Sequence, residues 1–194
     1  MPYDLTETDR ELINRIEKQA YDTQLKYRGC SQTVLLALQE NLGIGDLWTF
    51  KAATGFTLGV AGKGVGPCGA LLSGMMAIGI EFGRSSLEEA GTPREGGQGR
   101  PSNVSRTREL CQELWDKFAA EYGGLWSCFD IQERVYGRRY DPRAPEMQAL
   151  RATGEFFDIL SKHACNITAT GARLAAEIIL RERKIQNELG RHRF

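Results

Sequence analysis

Apolar side chains recur at helical spacing through every long segment of the chain. Leu5, Leu12, Ile16 and Ala20 share one face between residue 5 and about residue 27, among many charged neighbours, which predicts a solvated amphipathic helix. Gly29 breaks it, and Ser31 can start a second helix over Val34, Leu35, Leu38 and Leu42 that stops at Gly43. Asp46 is a candidate N-cap for a short helix holding Leu47, Phe50 and Ala53. Pro67 suits a first helical turn, and CGALLSGMMAIGIEFG reads as a buried central helix running to about Gly83. Its small residues Ala70 and Gly74, then Gly79 and Gly83, recur four apart and would let another helix backbone approach closely.

Beyond residue 103, Leu110, Leu114, Trp115, Phe118 and Tyr122 predict an amphipathic helix ending at Gly123 and Gly124. Asp130 and Glu133 can form a capping box on a short helix through Val135. Leu150, Phe157, Leu160 and Ala164 line one helix despite Gly154, and Leu174, Ile178, Ile185 and Leu189 mark a final one from about Ala169. No strand alternation and no internal repeat appears. The expectation is an all-α chain of six to eight helices, folded as one domain over residues 1–194, with a polar, flexible loop at about 91–103.

The chain has 194 residues, with 25 Lys plus Arg against 25 Asp plus Glu, so it lacks the basic surplus of a general nucleic-acid binder. Residues 1–12 show no basic segment followed by an apolar one, which predicts a cytoplasmic protein. Between residues 31 and 80 the only charges are Glu40, Asp46, Lys51 and Lys63. The uncharged run from Gly64 to Ile80 is too short to span a bilayer, which takes about 20 residues. So apolar a stretch predicts a buried element and a homodimer as the assembly. Glu81, at the end of that run, reads as a helix-end surface carboxylate, with proton relay or ligation as the sharper alternative.

Five cysteines stand at 30, 68, 111, 128 and 165, none within four residues of another, so no compact Cys-x-x-Cys metal or redox motif exists. Cys111 falls on the Leu114 and Phe118 face and reads as a core thiol. The other four sit at predicted helix ends or in loops, where side chains from distant segments can converge. Cys68 follows GFTLGVAGKGVGP and opens a helix, whose free N–H groups and positive dipole end would favour a thiolate; Lys63 would add to this, although a lone lysine in a glycine loop is more often solvated. His163, two residues before Cys165, points to a different helical face and reads as an ordinary surface histidine. Gly64 to Gly69 matches G-x-G-x-x-G, but Pro67 removes an N–H from the cradle and no βαβ pattern surrounds it, which argues against a nucleotide site.

CSQTVLLALQENLG, then KAATGF, then CGALLSGMMAIGIEFG, then a loop cysteine and a last cysteine before the C-terminal helix resemble the C_GCAxxG_C_C family over about residues 26–180. In this chain the core motif reads PCGALLSG. The resemblance implies redox chemistry and places the family's four cysteines at Cys30, Cys68, Cys128 and Cys165. Converging on one site, they would hold an iron–sulfur cluster, possibly of the 2Fe–2S type, and zinc is the alternative metal. Without metal, Cys68 would be the attacking thiol and Cys30 its resolving partner. A separate redox partner, and whether any substrate is turned over, are left open.

Overall fold

The computed structural model describes residues 4–86, 103–141, 143–159 and 163–189. It is all-α, and among the described residues there is no strand, only one isolated bridge. The helices are α1 (Glu7–Tyr27), α2 (Cys30–Leu42), α3 (Leu47–Ala52) with a 3₁₀ turn at Ala53–Phe56, α4 (Gly69–Phe82), α5 (Asn103–Glu121), α6 (Cys128–Tyr136), α7 (Pro145–Thr153), α8 (Glu155–Ile159) and α9 (Cys165–Glu188). Of the predicted loop at 91–103, only Asn103 lies within the described residues, where it begins α5.

Local signals set most of the boundaries. Thr6 caps α1 reciprocally with Asp9: the Asp9 N–H donates to Thr6 Oγ1 at 3.2 Å and the Thr6 N–H to Asp9 Oδ2 at 2.7 Å. Asp46 does the same for α3 with Thr49. Gly43 and Gly137 close α2 and α6 in the left-handed conformation that costs glycine little.

Four boundaries differ from expectation. Pro67 precedes α4 and pairs with Ser127 in the bridge, so Cys68 is the N-cap rather than part of a helical turn. Ser127, not Asp130, caps α6, accepting from the Asp130 N–H at 3.3 Å. Gly154, at φ +80°, divides the single helix expected across Leu150 and Phe157 into α7 and α8, with Leu160 outside the described residues. Finally, α9 starts at Cys165, a turn earlier than its apolar pattern suggests.

The core is built where α1 runs along α9 and α4 packs against α2, α5 and α9. Ile16, Leu35, Leu38, Leu71, Ile78, Leu114, Phe118, Ile178 and Ile179 are fully buried, each contributing roughly 1.5–3 kcal/mol of transfer free energy. The small residues on α4 serve this packing in part. A Cβ at Gly171 on α9 would stand 3.0 Å from the Ala70 Cβ and 3.1 Å from its carbonyl oxygen, so the two helices touch nearly backbone to backbone. Gly79, by contrast, faces open space.

Charges are also drawn inward. The Glu81 side chain is only 5% exposed, accepting from Arg183 Nε at 2.7 Å, while Arg183 also donates to the Leu42 carbonyl at 2.9 Å. The surface position expected of Glu81 is therefore corrected: its carboxylate is a buried tie between α4 and α9. Glu182 is held the same way by the forked guanidinium of Arg106 on α5, at 3.0 and 2.6 Å. No described helix is long and apolar enough to cross a membrane.

Candidate functional site

The glycine-rich segment before α4 folds back through a left-handed turn. Five consecutive residues, Leu58, Gly59, Val60, Ala61 and Gly62, have φ between +52° and +70°. For the three that carry a Cβ this conformation costs about 1–2 kcal/mol each, and for β-branched Val60 it is a true outlier. Such strain persists only where the surroundings hold it in place. Here the turn is tied by Gly64 N–H to Leu58 carbonyl (3.0 Å) and Gly66 N–H to Gly59 carbonyl (3.2 Å).

The chain then meets the segment before α6. Cys68 N–H donates to the Trp126 carbonyl at 2.9 Å and Cys128 N–H to the Gly66 carbonyl at 3.0 Å, flanking the antiparallel Pro67 and Ser127 pair. In this pairing Cys68 stands opposite Trp126, which makes Cys68 and Cys128 diagonal neighbours on one face, with Cα atoms about 7–8 Å apart by ordinary ladder geometry. The third thiol comes from the start of α2. A Cβ at Gly69 would stand 2.7 Å from Cys30 Sγ and 2.9 Å from the Phe56 carbonyl oxygen, so glycine beside Cys68 is what admits Cys30.

Cys30, Cys68 and Cys128 thus line one cavity of about 190 Å³ with Leu58, Ile131, Tyr136, Met147 and Phe156. Cys68 and Cys128 are buried and Cys30 is half-buried. Burial is the main influence on all three thiols and pushes each pKa up. Cys68 lies well above its usual range, raised further by Cys128 and Cys30, and Cys128 is pushed up to about 12 by burial and by Cys30. Backbone groups act the other way. Those of Ala70 and Leu71 favour the Cys68 thiolate, and those of Leu58, Ser31 and Gly69 the Cys30 thiolate. The helix-start effect expected at Cys68 is therefore present but outweighed, and the metal-free site holds thiols.

Several participants carry no motif. Gln132, one turn after Cys128 on α6, donates from Nε2 to Cys128 Sγ at 3.3 Å while its Oε1 accepts from the Tyr140 N–H at 2.8 Å. The i, i+4 spacing would have been its only clue. Burial and then the three cysteines push the Tyr136 phenol up, and its ring packs 5.3 Å from that of His163. Arg28 and Arg151 also line the cavity. Arg28 has φ 62° and ψ 179°, a combination that is nearly glycine's alone.

The remaining candidates lie apart. Cys165, 1% exposed in the first turn of α9, does not line the cavity, although its neighbours Ala164, Ile167 and Thr168 do. Its thiol is pushed up by burial and by Asp22 of α1, which places it toward the α1 side. Cys111 borders a separate depression with Met75 and Trp115, packed against the core as its helical face implied. Lys63 is exposed and does not line the cavity. Among the described residues, no three of His, Cys, Asp and Glu are grouped so as to hold one metal ion.

A sequence profile described as "Putative redox-active protein (C_GCAxxG_C_C)" matches residues 29–178. The chain belongs to the C_GCAxxG_C_C family. No curated protein and no solved structure matches it. The matched region begins at the Gly29 that opens α2 and contains all five cysteines, so it takes in the three thiols of the cavity but not Gln24 and Arg28, which also line it.

Proposed function

We propose that the cavity is a redox centre in which Cys30, Cys68 and Cys128 hold an iron–sulfur cluster. The observation that supports this best is the convergence of three cysteines, two buried and one half-buried, from three separate segments around one largely apolar space. Thiolates are the preferred ligands of such clusters, and the backbone groups directed at Cys30 and Cys68 are of the kind that stabilise metal-bound sulfur. When bound, the cluster supplies one-electron transfer.

The chain's own residues would do the rest. Gln132 orients Cys128, the Gly69 backbone lets Cys30 approach, and the apolar walls keep water out. Cys165 would then brace the start of α9 behind the cavity. Anaerobically purified protein is expected to be brown, with absorbance between about 400 and 600 nm and with iron and acid-labile sulfide in equal amounts. Replacing Cys30, Cys68 or Cys128 by Ala should abolish the colour. A colourless protein free of iron would reject the reading.

A metal-free dithiol is the second reading, favoured by the approach of Cys30 Sγ to the Gly69 backbone next to Cys68. Two thiols there would form one disulfide, passing two electrons and two protons to a dithiol-oxidising partner. Its mark would be a Cys30–Cys68 disulfide found in the oxidised, iron-free protein by peptide mass spectrometry.

A further inference from the structure

The cavity also gathers positive charge. Arg28, at the end of α1, and Arg151, on α7, both line it. The Arg28 guanidinium stands 3.8 Å from the Phe157 ring centre and 5.6 Å from that of Phe156, and Arg151 stands 5.4 Å from Phe156, so the two cations share one aromatic ring. Neither is paired with a carboxylate among the described residues. Arg106, Arg173, Arg181 and Arg183 each have one.

Both guanidiniums line the same cavity and meet the same ring without a carboxylate partner among the described residues, so an anion bound there gains charge-assisted hydrogen bonds from them. Cation–π contact with the rings restrains the two side chains, which lessens the freedom lost when an anion arrives. Behind the arginines the walls are Tyr140, Met147 and Phe156, which accept an apolar body. Inorganic phosphate has no apolar part to place there, so the walls favour an organic acid.

We propose that the cavity binds a small organic carboxylate, its anionic group between Arg28 and Arg151 and its apolar part against Tyr140, Met147 and Phe156. Such a molecule would approach the thiols from the arginine side. The assignment deepens the redox reading by naming the class of compound admitted to that site, yet binding itself does not depend on whether the thiols hold metal.

Benzoate and benzamide, equal in shape and different in charge, are the probes, used on the full-length protein and on Arg151→Gln, whose exposed position on α7 makes the variant tolerable to the fold. Benzoate should raise the wild-type melting temperature by about 3 °C at tenfold its Kd, at constant ionic strength. Benzamide should not, and Arg151→Gln should lose most of the shift. Alkylation gives a second readout with an internal reference. The rate ratio of iodoacetate to iodoacetamide at Cys30, Cys68 or Cys128 should exceed that at Cys111, and fall about fivefold in Arg151→Gln. A benzoate shift that is absent, matched by benzamide or retained in the variant would overturn the proposal. Iron and sulfide content of the wild type is measured without any carboxylate, so the cluster reading and this one can fail separately.

Discussion

Gly64 lies flat against the ring of Phe129: a Cβ built on it would come within 2.0 Å of Cζ and 2.1 Å of Cε1. The Phe129 N–H also donates to the Gly64 carbonyl at 2.8 Å, so backbone and ring are locked onto the same residue. With φ at +76°, Gly64 resists substitution on two counts, space and conformation. Gly64→Ala is expected to cost about 2–4 kcal/mol, read as a lowered urea midpoint. Part of that loss should return in Gly64→Ala combined with Phe129→Leu; an unaltered midpoint in the single variant would contradict the packing.

Ala61 should respond in the opposite sense. It is exposed, at φ +52°, in the strained turn that leads to the thiols. Ala61→Gly relieves the strain but frees the unfolded chain, and the first effect is the larger by about 0.5–1 kcal/mol, so thermal unfolding should shift upward.

The buried pair of Glu81 and Arg183 gives a test by asymmetry. Arg183→Met leaves a carboxylate that is 5% exposed without its guanidinium and is expected to cost about 3–5 kcal/mol. Adding Glu81→Leu should recover most of that loss in denaturant titrations. Independent, additive effects of the two changes would show that the pair is not coupled.

Asp9 links stability to pH. Burial pushes its carboxyl up, but the Lys184 ammonium and the Thr6 cap overcome this and leave the pKa below its usual 3.8. A lowered folded-state pKa means stability that is present above the unfolded value and lost as pH falls through the folded one. Asp9→Asn should therefore lower stability by about 1 kcal/mol at pH 7, and the gap from wild type should close as the pH falls below the usual carboxyl value of 3.8.

Cys111 supplies the control. Because it borders Met75 and Trp115 away from the cavity, Cys111→Ala should leave iron content and the visible spectrum unchanged at a cost of about 1 kcal/mol. Loss of the chromophore would bring Cys111 into the site.

The helices were legible where apolar spacing, caps and glycine stops agreed, as at Gly43 and Asp46. The sequence misled where a local cue had two outcomes. Pro67 is equally at home in a first helical turn and in an extended bridge, and only the distant Trp126 and Ser127 decide between them. Glu81 looked solvated because its partner Arg183 is remote in the chain. At the site, the cysteines at element ends were visible as candidates. What spacing along the chain does not encode is direction. Cys165 begins α9 one residue after cavity-lining Ala164, yet it does not line the cavity itself. Arg28 and Arg151 had no motif at all; the fold brings them to one cavity and one ring, Phe156.

The bridge between Pro67 and Ser127 also sets an order of events. Cys30 and Cys68 can meet as soon as α2 and the glycine turn exist, but Cys128 joins them only after the chain between has been synthesised and the long loop closed, a slow, entropically costly contact. Until then the nascent chain presents two thiols without their third. A growing polypeptide is thus open to oxidation during that interval, and a centre that needs all three thiols cannot be completed before the segment carrying Cys128 has been made.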